Sequence, residues 1–257
     1  MKMQGKKVLI VGVANERSIA WGIAQALHRE GAELGFTYLG DSLERRVRPL
    51  AESVNSKIIE PCDVRSEDQM KNLFSKVSEQ WNGEMHGMVH SIAYAEKNDL
   101  EGSFVTTSRE GFITSLEISA YSLVSLTRHA LPLFQKSGEG SVVTLTYYGA
   151  EKVVPNYNVM GVAKAALECS VRYLANELGP QNIRINALSA GPVRTLAAAG
   201  IKGFKGMMQT VEEKAPLKRN VTLEEVGETG LFLLSRSGGG ITGETLYVDS
   251  GYHILGM

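Results

Sequence analysis

The sequence predicts an α/β protein built on one doubly wound parallel sheet of about seven strands, with helices on both faces. Short apolar, β-branched runs alternate with helical patterns from one end of the chain to the other, which is typical of a parallel sheet. Gly12, directly after the first run, opens a turn into a helix, as in the first unit of such sheets. No shift in composition and no long linker divides the 257 residues, so we expect a single domain over residues 1–257.

Each strand is predicted from a short apolar run bounded by glycine or polar residues. The predicted strands, in order, are Lys7–Val11, Glu33–Tyr38, Lys57–Glu60, Gly87–His90, Ser141–Thr146, Arg184–Leu188 and Thr245–Val248.

The helix limits come mainly from capping signals. We expect Ser18 to cap the first helix and Gly31 to end it, and a Gly-Pro pair at 179–180 to stop the fifth. The segments S-E-D-Q from Ser66 and T-L-E-E from Thr222 are capping boxes. The predicted helices are Ile19–Arg29, Ser42–Val54, Ser66–Trp81, Glu110–Phe134, Asn156–Leu178 and Thr222–Leu234, with a loop over Tyr94–Ser108.

Composition excludes several classes of function. The chain is 43% apolar and 21% charged with a formal net charge of -1, which gives no footprint for nucleic acid or for insertion into a membrane. The apolar run near the start is too short for a signal peptide and favours a strand, so we expect a cytoplasmic protein. Cys62 and Cys169 form no disulfide pattern, and the five histidines lack ligand spacing, so no metal site is predicted.

The segment from Thr144 to Lys164 carries the clearest sign of chemistry. Tyr157 and Lys164 are seven residues apart in a predicted helix. Seven residues is almost two turns, so the two side chains share one face about 10.5 Å apart along the axis. A phenol is a proton donor and an ammonium is a cation, so the pair indicates catalysis if a cofactor lies nearby. An ordinary half-buried tyrosine is the alternative.

The first strand, turn and helix offer a place for a nucleotide phosphate. The segment is G-V-A-N-E-R-S-I-A-W-G, with bare backbone at Gly12 and a helix N-terminus directly after it. The usual G-x-G-x-x-G pattern is absent, and so is G-x3-G-x-G, because Glu16 and Ser18 stand at the later glycine positions. A turn without a ligand is therefore the alternative.

The ends of the next strands continue this site. Asp63 follows the third strand and can accept a hydrogen bond from an adenine amino group, and the small residues at 91–93 follow the fourth strand at the edge where ligands bind. Asp41 either holds a ribose or caps the second helix. Arg45, Arg46 and Arg48 either meet a 2′-phosphate or form a solvated face. His90 is interpreted as a packed residue rather than a base.

Together these segments resemble the short-chain dehydrogenase/reductase superfamily and, within it, the bacterial enoyl-acyl-carrier-protein reductases of the NADH-dependent type. The resemblance covers nearly the whole chain. Most of the superfamily has Y-x3-K, which would place the tyrosine at 160, but this chain has Met160 and a Y-x6-K spacing. Thr146 and Tyr147 replace the catalytic serine of strand five. The other matching segments are C-D-V, H-S-I-A, I-R-I-N-A-L-S-A-G-P-V-R-T and I-T-G-E-T-L-Y-V-D-S-G.

The resemblance implies a Rossmann-like fold and reduction of the trans-2 double bond of an enoyl thioester on acyl-carrier protein, in fatty-acid elongation. It implies a homotetramer and a nicotinamide cofactor. We expect NADH, without excluding NADPH, because Leu39-Gly40-Asp41 lacks the basic residue of NADPH-preferring relatives. The alternatives are a short-chain reductase for ketones or alcohols, which Met160 disfavours, and a non-catalytic dinucleotide sensor, which the retained Tyr–Lys pair disfavours.

The resemblance also implies roles for individual residues. Tyr157, Lys164 and Tyr147 are the implied catalytic residues. The implied cofactor-binding residues are Gly12, Ala14, Ser18, Ile19, Asp63, Val64, Ser91, Ile92, Ala93, Lys164, Pro192 and Thr195. The implied substrate-binding residues are Ala93, Tyr94, Tyr147, Tyr157, Met160, Ala197, Ile201, Phe204 and Met207. A mobile lid is expected at about 195–214, and the carrier protein is expected to meet a basic patch of Arg194, Lys202 and Lys205.

Overall fold

The computed structural model describes residues 1–196, 198–200 and 202–256. Its described part contains one sheet of seven parallel strands in the order β3-β2-β1-β4-β5-β6-β7. The order reverses between β1 and β4, which creates a crevice at the carboxyl ends of those two strands. The doubly wound class predicted from the sequence is confirmed. The strands are β1 Lys7–Val11, β2 Glu33–Tyr38, β3 Ile58–Pro61, β4 Gly87–His90, β5 Gly140–Thr146, β6 Ile183–Ala190 and β7 Thr245–Val248.

Helices cover both faces of the sheet, as expected. Alternate residues of β1 face opposite sides: Val8 and Ile10 belong to one apolar core, and Leu9 and Val11 to the other. The helices are α1 Ile19–Arg29, α2 Gly40–Ser53, α3 Glu67–Gln80, α4 Lys97–Leu100, α5 Arg109–Leu116, α6 Ser122–Ser137, α7 Asn158–Leu178, α8 Phe204–Lys214 and α9 Leu223–Leu234. The first core is completed by α1, α2 and α9, and the second by α3, α6 and α7.

The predicted helix over 110–134 is two helices rather than one. A π-helical turn, Glu117–Tyr121, separates α5 from α6, and the Ser122 hydroxyl donates to the Ile118 carbonyl beside it at 2.6 Å. The predicted loop over 94–108 contains α4 and a 3₁₀ turn, Phe104–Thr106.

One capping prediction was wrong, and one of the two alternatives for Asp41 is ruled out. Helix α2 begins at Gly40, so Asp41 lies inside its first turn, and Gly40 adopts a φ of +71° to enter the helix directly after Leu39. The Ser18 hydroxyl accepts hydrogen bonds from the backbone N–H of Ala14 and Asn15, at 2.9 and 3.1 Å, instead of capping α1. In both places the turn before the helix determines the role of the polar side chain.

Smaller shifts of element ends have simple causes. Strand β6 reaches Ala190 because it pairs with β5 on one side and β7 on the other. Strand β3 ends at Pro61, which is tolerated because β3 lies at the edge of the sheet. Helix α7 begins at Asn158, so Tyr157 is its N-cap residue. Within the described ranges, none of the helices combines the length and the apolar character that crossing a bilayer requires.

Candidate active site

The turn from β1 into α1 packs tightly against the end of β4. Gly12 adopts a φ of +107°, and a Cβ atom built on it would lie 2.1 Å from the Ser91 carbonyl oxygen. Only glycine therefore allows this close approach of the two strand ends. The Ser18 hydroxyl, bonded to Ala14 and Asn15, makes the turn rigid. Within the described residues no N–H group of α1 donates to that hydroxyl, so the start of the helix can offer donors to a phosphate.

A cavity of about 780 Å³ follows the carboxyl ends of β1 to β5. Its size is in the range of small-molecule and cofactor sites, which is roughly 300–1,000 Å³. All of the cofactor-binding residues expected from the resemblance line it except Pro192, which lies outside the lining that the described residues define. Those in the lining are Gly12, Ala14, Ser18, Ile19, Asp63, Val64, Ser91, Ile92, Ala93, Lys164 and Thr195.

Several residues of this lining were not anticipated from the sequence. Three end β2 or follow it and two follow β3, and the ligand edge of a parallel sheet could have indicated these five. The others come from α2, from α5, and from the segment that joins α5 to α6, and no local signal marks them. The unanticipated residues include Thr37, Tyr38, Leu39, Leu43, Cys62, Arg65, Thr114 and Ile118.

The end of the cavity formed by the residues after β3 carries charged side chains. Arg65 forms an ion pair with Asp63, Nη2 to Oδ2 at 2.9 Å, and this hydrogen bond lowers the pKa of the Asp63 carboxyl. Burial raises the pKa of the Cys62 thiol to about 12, so the thiol stays protonated and unreactive. Arg48 donates to Glu44 from its Nε at 3.1 Å. Of the three arginines considered for a 2′-phosphate, Arg48 is thus already paired.

Lys164 lies buried at the other end of the cavity. Its Nζ donates to the Leu145 carbonyl at 2.7 Å, which fixes the side chain at the end of β5. Burial lowers the pKa of Lys164 to about 8, and Glu168 on the same helix opposes that effect. The lysine therefore remains an ammonium at neutral pH by a small margin.

The phenols of Tyr157 and Tyr147 lie side by side. Their rings are 5.2 Å apart between centroids and make an edge-to-face contact at 69°. Burial raises the pKa of both groups, that of Tyr147 to about 12, so each phenol is a neutral hydrogen-bond donor at physiological pH. The Tyr147 hydroxyl donates to the Met207 sulfur at 2.9 Å.

An apolar cluster surrounds Tyr157. Met160 and Ala163 of α7 form it with Tyr157, and neighbouring side chains from α4, α5 and the adjoining loops pack against them: Ala95, Leu100, Leu116, Tyr147 and Val154. Leu100 and Leu116 were not anticipated, because only tertiary packing brings them to α7. Phe204 is half-buried at the start of α8, and Tyr94 is largely exposed at the cavity edge. Ala197 and Ile201 lie outside the described residues.

His90 is a structural residue, as the sequence analysis interpreted it. It is completely buried, and its two ring nitrogens make hydrogen bonds of 2.8 Å to the hydroxyls of Thr144 and Ser122. Burial, followed by the nearby charge of Lys164, lowers the pKa of His90 to about 3. The imidazole therefore stays neutral and does not exchange protons with a substrate near pH 7.

A cavity at the switch point of a doubly wound sheet is where dinucleotides bind. The ammonium of Lys164 reaches that cavity, while the phenol of Tyr157 lies outside the lining that the described residues define, in the apolar cluster beside Tyr147. The fold and this cavity together define the class of short-chain dehydrogenases and reductases. Residues 12–253 match the family described as enoyl-(acyl carrier protein) reductase. The chain belongs to this family.

Individual relatives match over their full length. The chain is 51% identical over 256 residues to a Bacillus cereus protein named enoyl-acyl-carrier-protein reductase (NADH) FabI, covering 99% of each. It is 52% identical to the Rickettsia prowazekii protein of the same name, covering 99% of this chain and 96% of the relative. A Bacillus cereus crystal structure with NADP+ and indole naphthyridinone has a TM-score of 0.96 at 51% identity, covering 100% of both chains.

A second similar solved structure contains NAD rather than NADP+. The Anaplasma phagocytophilum enoyl-acyl-carrier-protein reductase in complex with NAD has a TM-score of 0.95 at 52% identity, covering 100% of this chain and 97% of that one. The seven-stranded fold is therefore shared with reductases crystallised with either dinucleotide.

Proposed function

We propose that the chain reduces the trans-2 double bond of enoyl thioesters carried by acyl-carrier protein, the last reductive step of fatty-acid elongation, with NADH as the reductant. The observation that carries this proposal is the match to enoyl reductases over nearly the whole chain at 51–52% identity. The Y-x6-K spacing supports it, since Met160 occupies the position at which a ketone reductase carries its tyrosine.

The residues of this chain fit the cofactor. The turn at Gly12 and the uncapped start of α1 suit the pyrophosphate, and Lys164 suits the hydroxyls of the nicotinamide ribose. When bound, NADH supplies the hydride that reduces the β-carbon of the substrate. Ser91, Ile92 and Ala93 would hold the middle of the cofactor against the end of β4.

Tyr157 would stabilise the charge that develops during reduction. As the β-carbon is reduced, negative charge accumulates on the thioester oxygen, and a neutral phenol at that oxygen donates a hydrogen bond to it. The raised pKa of Tyr157 keeps the phenol neutral and able to donate. A proton that reaches the α-carbon from solvent or by way of the phenol would complete the saturated product. Lys164 adds positive potential behind it. Tyr147 and Met160 would form walls of the acyl pocket, together with Phe204 and Met207 of α8.

A spectrophotometric assay of cofactor oxidation tests the function. Crotonyl and longer enoyl thioesters are supplied with NADH in one series and with NADPH in another, beside a 3-ketoacyl thioester. Oxidation with the enoyl substrates alone is the expected result. Oxidation with the ketoacyl substrate alone would identify a ketone reductase, and cofactor binding without oxidation over the whole panel would identify a sensor.

The segment 195–214 would act as a lid of the single domain. Two described contacts support this: Asn156 donates to the Lys202 carbonyl at 3.1 Å, and Tyr147 donates to Met207. The first contact joins the segment to the residues just before α7, and the second joins it to the end of β5. The exposed side chains of Arg194, Lys202 and Lys205 would meet the acidic carrier protein, although Lys202 also lies 3.7 Å from Glu101.

We further propose that the chain acts as a homotetramer in the cytoplasm. Exposed apolar side chains on α5, the π turn and α7 support self-association: Ile113, Tyr121, Val162 and Tyr173. A cytoplasmic location follows from the proposed chemistry, because NADH and the carrier-bound intermediates of elongation are supplied there. Cell fractionation with an antibody to the chain tests the location.

A further inference from the structure

Glu168 is a buried carboxylate to which the mechanism above gives no task. It lies one turn after Lys164 on α7, and only 7% of its surface is exposed, against 5% for Lys164. Taking a carboxylate out of water is costly unless hydrogen bonds or an opposite charge compensate. A role connected with Lys164 would account for its position.

The end of β5 holds both charged groups. The Leu145 carbonyl accepts from Lys164 Nζ at 2.7 Å, and the next residue, Thr146, donates from its hydroxyl to Glu168 Oε1 at 2.6 Å. Within the described part of the chain, no carboxylate oxygen lies within 4.0 Å of Lys164 Nζ. Glu168 therefore acts on Lys164 through space, as a fixed charge one helical turn away, and leaves the ammonium protons free for another acceptor.

The buried aromatic groups near Lys164 supply no competing negative charge at pH 7. His90 on β4 is buried and neutral, and the phenols of Tyr157 and Tyr147 are neutral as well. Burial raises the pKa of the Glu168 carboxyl above its ordinary value, and Glu151 adds to that effect. The Thr146 hydrogen bond is the strongest influence in the other direction, ahead of the charges of Arg172 and Lys164, so Thr146 is the contact that most favours the ionised form of Glu168.

We propose that Glu168 is a positioning residue for the reaction: held by Thr146, its carboxylate is the counter-charge that keeps Lys164 in the ammonium form and ready to bind the ribose hydroxyls of the nicotinamide cofactor. The inference rests on the proposed function for the identity of the ligand. It assigns a role to a residue that touches neither substrate nor cofactor.

The proposal predicts the direction in which Glu168→Gln changes the pH dependence of NADH binding. The ammonium form of Lys164 binds the ribose, so NADH affinity should fall as the pH rises through the pKa of Lys164, which burial places near 8 in the wild type. Removing the carboxylate should move the midpoint of that fall downward by about one pH unit. NADH should bind the variant about as tightly as the wild type near pH 6 and several-fold more weakly near pH 8.

Fluorescence titration of NADH over about pH 5.5 to 9.5 measures these midpoints. Thr146→Val should shift the midpoint in the same direction, because Glu168 loses the hydrogen bond that keeps it ionised. The double variant should show no larger shift than Glu168→Gln, since both changes remove one charge. Glu168→Asp keeps a carboxylate at this position, so its midpoint should lie between those of Glu168→Gln and the wild type. Glu177→Gln, the same charge change at an exposed site of α7, is the matched control and should leave the curve unchanged.

A Glu168→Gln profile that superimposes on the wild type, or an affinity loss equal at every pH, would overturn the proposal. Circular dichroism shows whether each variant is folded. If Glu168→Gln does not fold, the midpoint measured for Thr146→Val decides the proposal. The reductase assignment is judged separately, by turnover of enoyl thioesters by the wild type. Failure of that assay would remove the proposed function while the pH dependence of NADH binding still decides the role of Glu168.

Discussion

Burial changes the acidity of Tyr157 and Lys164 in opposite directions. It raises the pKa of the phenol and lowers the pKa of the lysine to about 8. Near pH 7 the phenol therefore keeps its proton firmly, while the ammonium keeps its extra proton by a small margin. The pair supplies a cation in the cavity lining and a neutral hydrogen-bond donor in the apolar cluster at the start of α7, which is the combination that the proposed reduction of an enoyl thioester requires.

Tyr157→Phe should reduce kcat for enoyl thioesters by about 100- to 1,000-fold, because it removes a donor aimed at the oxygen on which charge develops. NADH affinity should remain near the wild-type value, since Lys164 is untouched. Steady-state kinetics and NADH titration measure the two quantities. Tyr173→Phe, at an exposed tyrosine of the same helix, is the control. Unchanged turnover by Tyr157→Phe would contradict the proposed role.

Gly12→Ala should destabilise the chain by at least about 2 kcal/mol, because the new Cβ would lie 2.1 Å from the Ser91 carbonyl oxygen in addition to the strain of a φ of +107°. Gly138→Ala is a matched control. Gly138 has a φ of +71° at the end of α6 with nothing within 4 Å, so only the backbone strain of about 1 kcal/mol applies. Urea denaturation compares the two variants, and equal losses would show that contact with Ser91 is unimportant.

At the scale of elements, the capping box of α9 links helix stability to pH. The Thr222 hydroxyl accepts from the Glu225 N–H at 3.1 Å, and the Glu225 carboxylate accepts from the Thr222 N–H at 2.9 Å. Arg219 donates to the same carboxylate at 2.8 Å, and these hydrogen bonds lower the pKa of Glu225 to about 2. The carboxylate therefore stabilises the folded state only while it is ionised.

Glu225→Gln should lower the free energy of unfolding at pH 7 by less than about 1 kcal/mol, because the group is largely solvated. The folded-state pKa lies below the unfolded one, so the difference from wild type should be constant above about pH 5 and shrink as the pH falls from about 4.5 toward 2. Denaturation series at several pH values measure it. Glu224→Gln, on the same turn, should give a smaller difference, and a larger one there would refute the capping-box explanation.

The sequence predicted where strands and helices lie better than it predicted the irregular turns within or beside them. The apolar run of β1 and the capping box at Thr222 are local signals, and the structure follows them. At Ser66 only half of the predicted box forms: the Ser66 hydroxyl accepts from the Gln69 N–H, but the Gln69 side chain accepts from the Asp63 N–H instead. The π turn at Glu117–Tyr121 gives no such signal, because one extra residue in a turn leaves the apolar pattern on both sides intact. The role of Ser18 was missed for a related reason, since its hydroxyl bonds to the turn before α1 rather than to the helix.

At the scale of the whole molecule, the site was predictable where it depends on topology. Parallel strands bring their carboxyl ends together, so Gly12, Asp63 and Ser91 could be assigned to one edge from their places after strands. Leu43 and Ile118 reach the cavity only because their helices pack against that edge, and no pattern in the chain records this packing. The roles of the lining residues in binding stay predictions until the variants are measured.

The exposed apolar surface of α5 to α7 predicts self-association of the whole chain. Tyr173 is 76% exposed on α7, and an isolated aromatic ring so placed gains stability when a second copy covers it. Light scattering should give the mass of four chains for the wild type, and Tyr173→Asp should reduce it because a carboxylate would be buried without a partner. Leu217→Asp, at an exposed leucine between α8 and α9, is the control and should leave the mass unchanged. A single-chain mass for the wild type at micromolar concentration would refute the tetramer, and an unchanged mass for Tyr173→Asp would move the interface to another face.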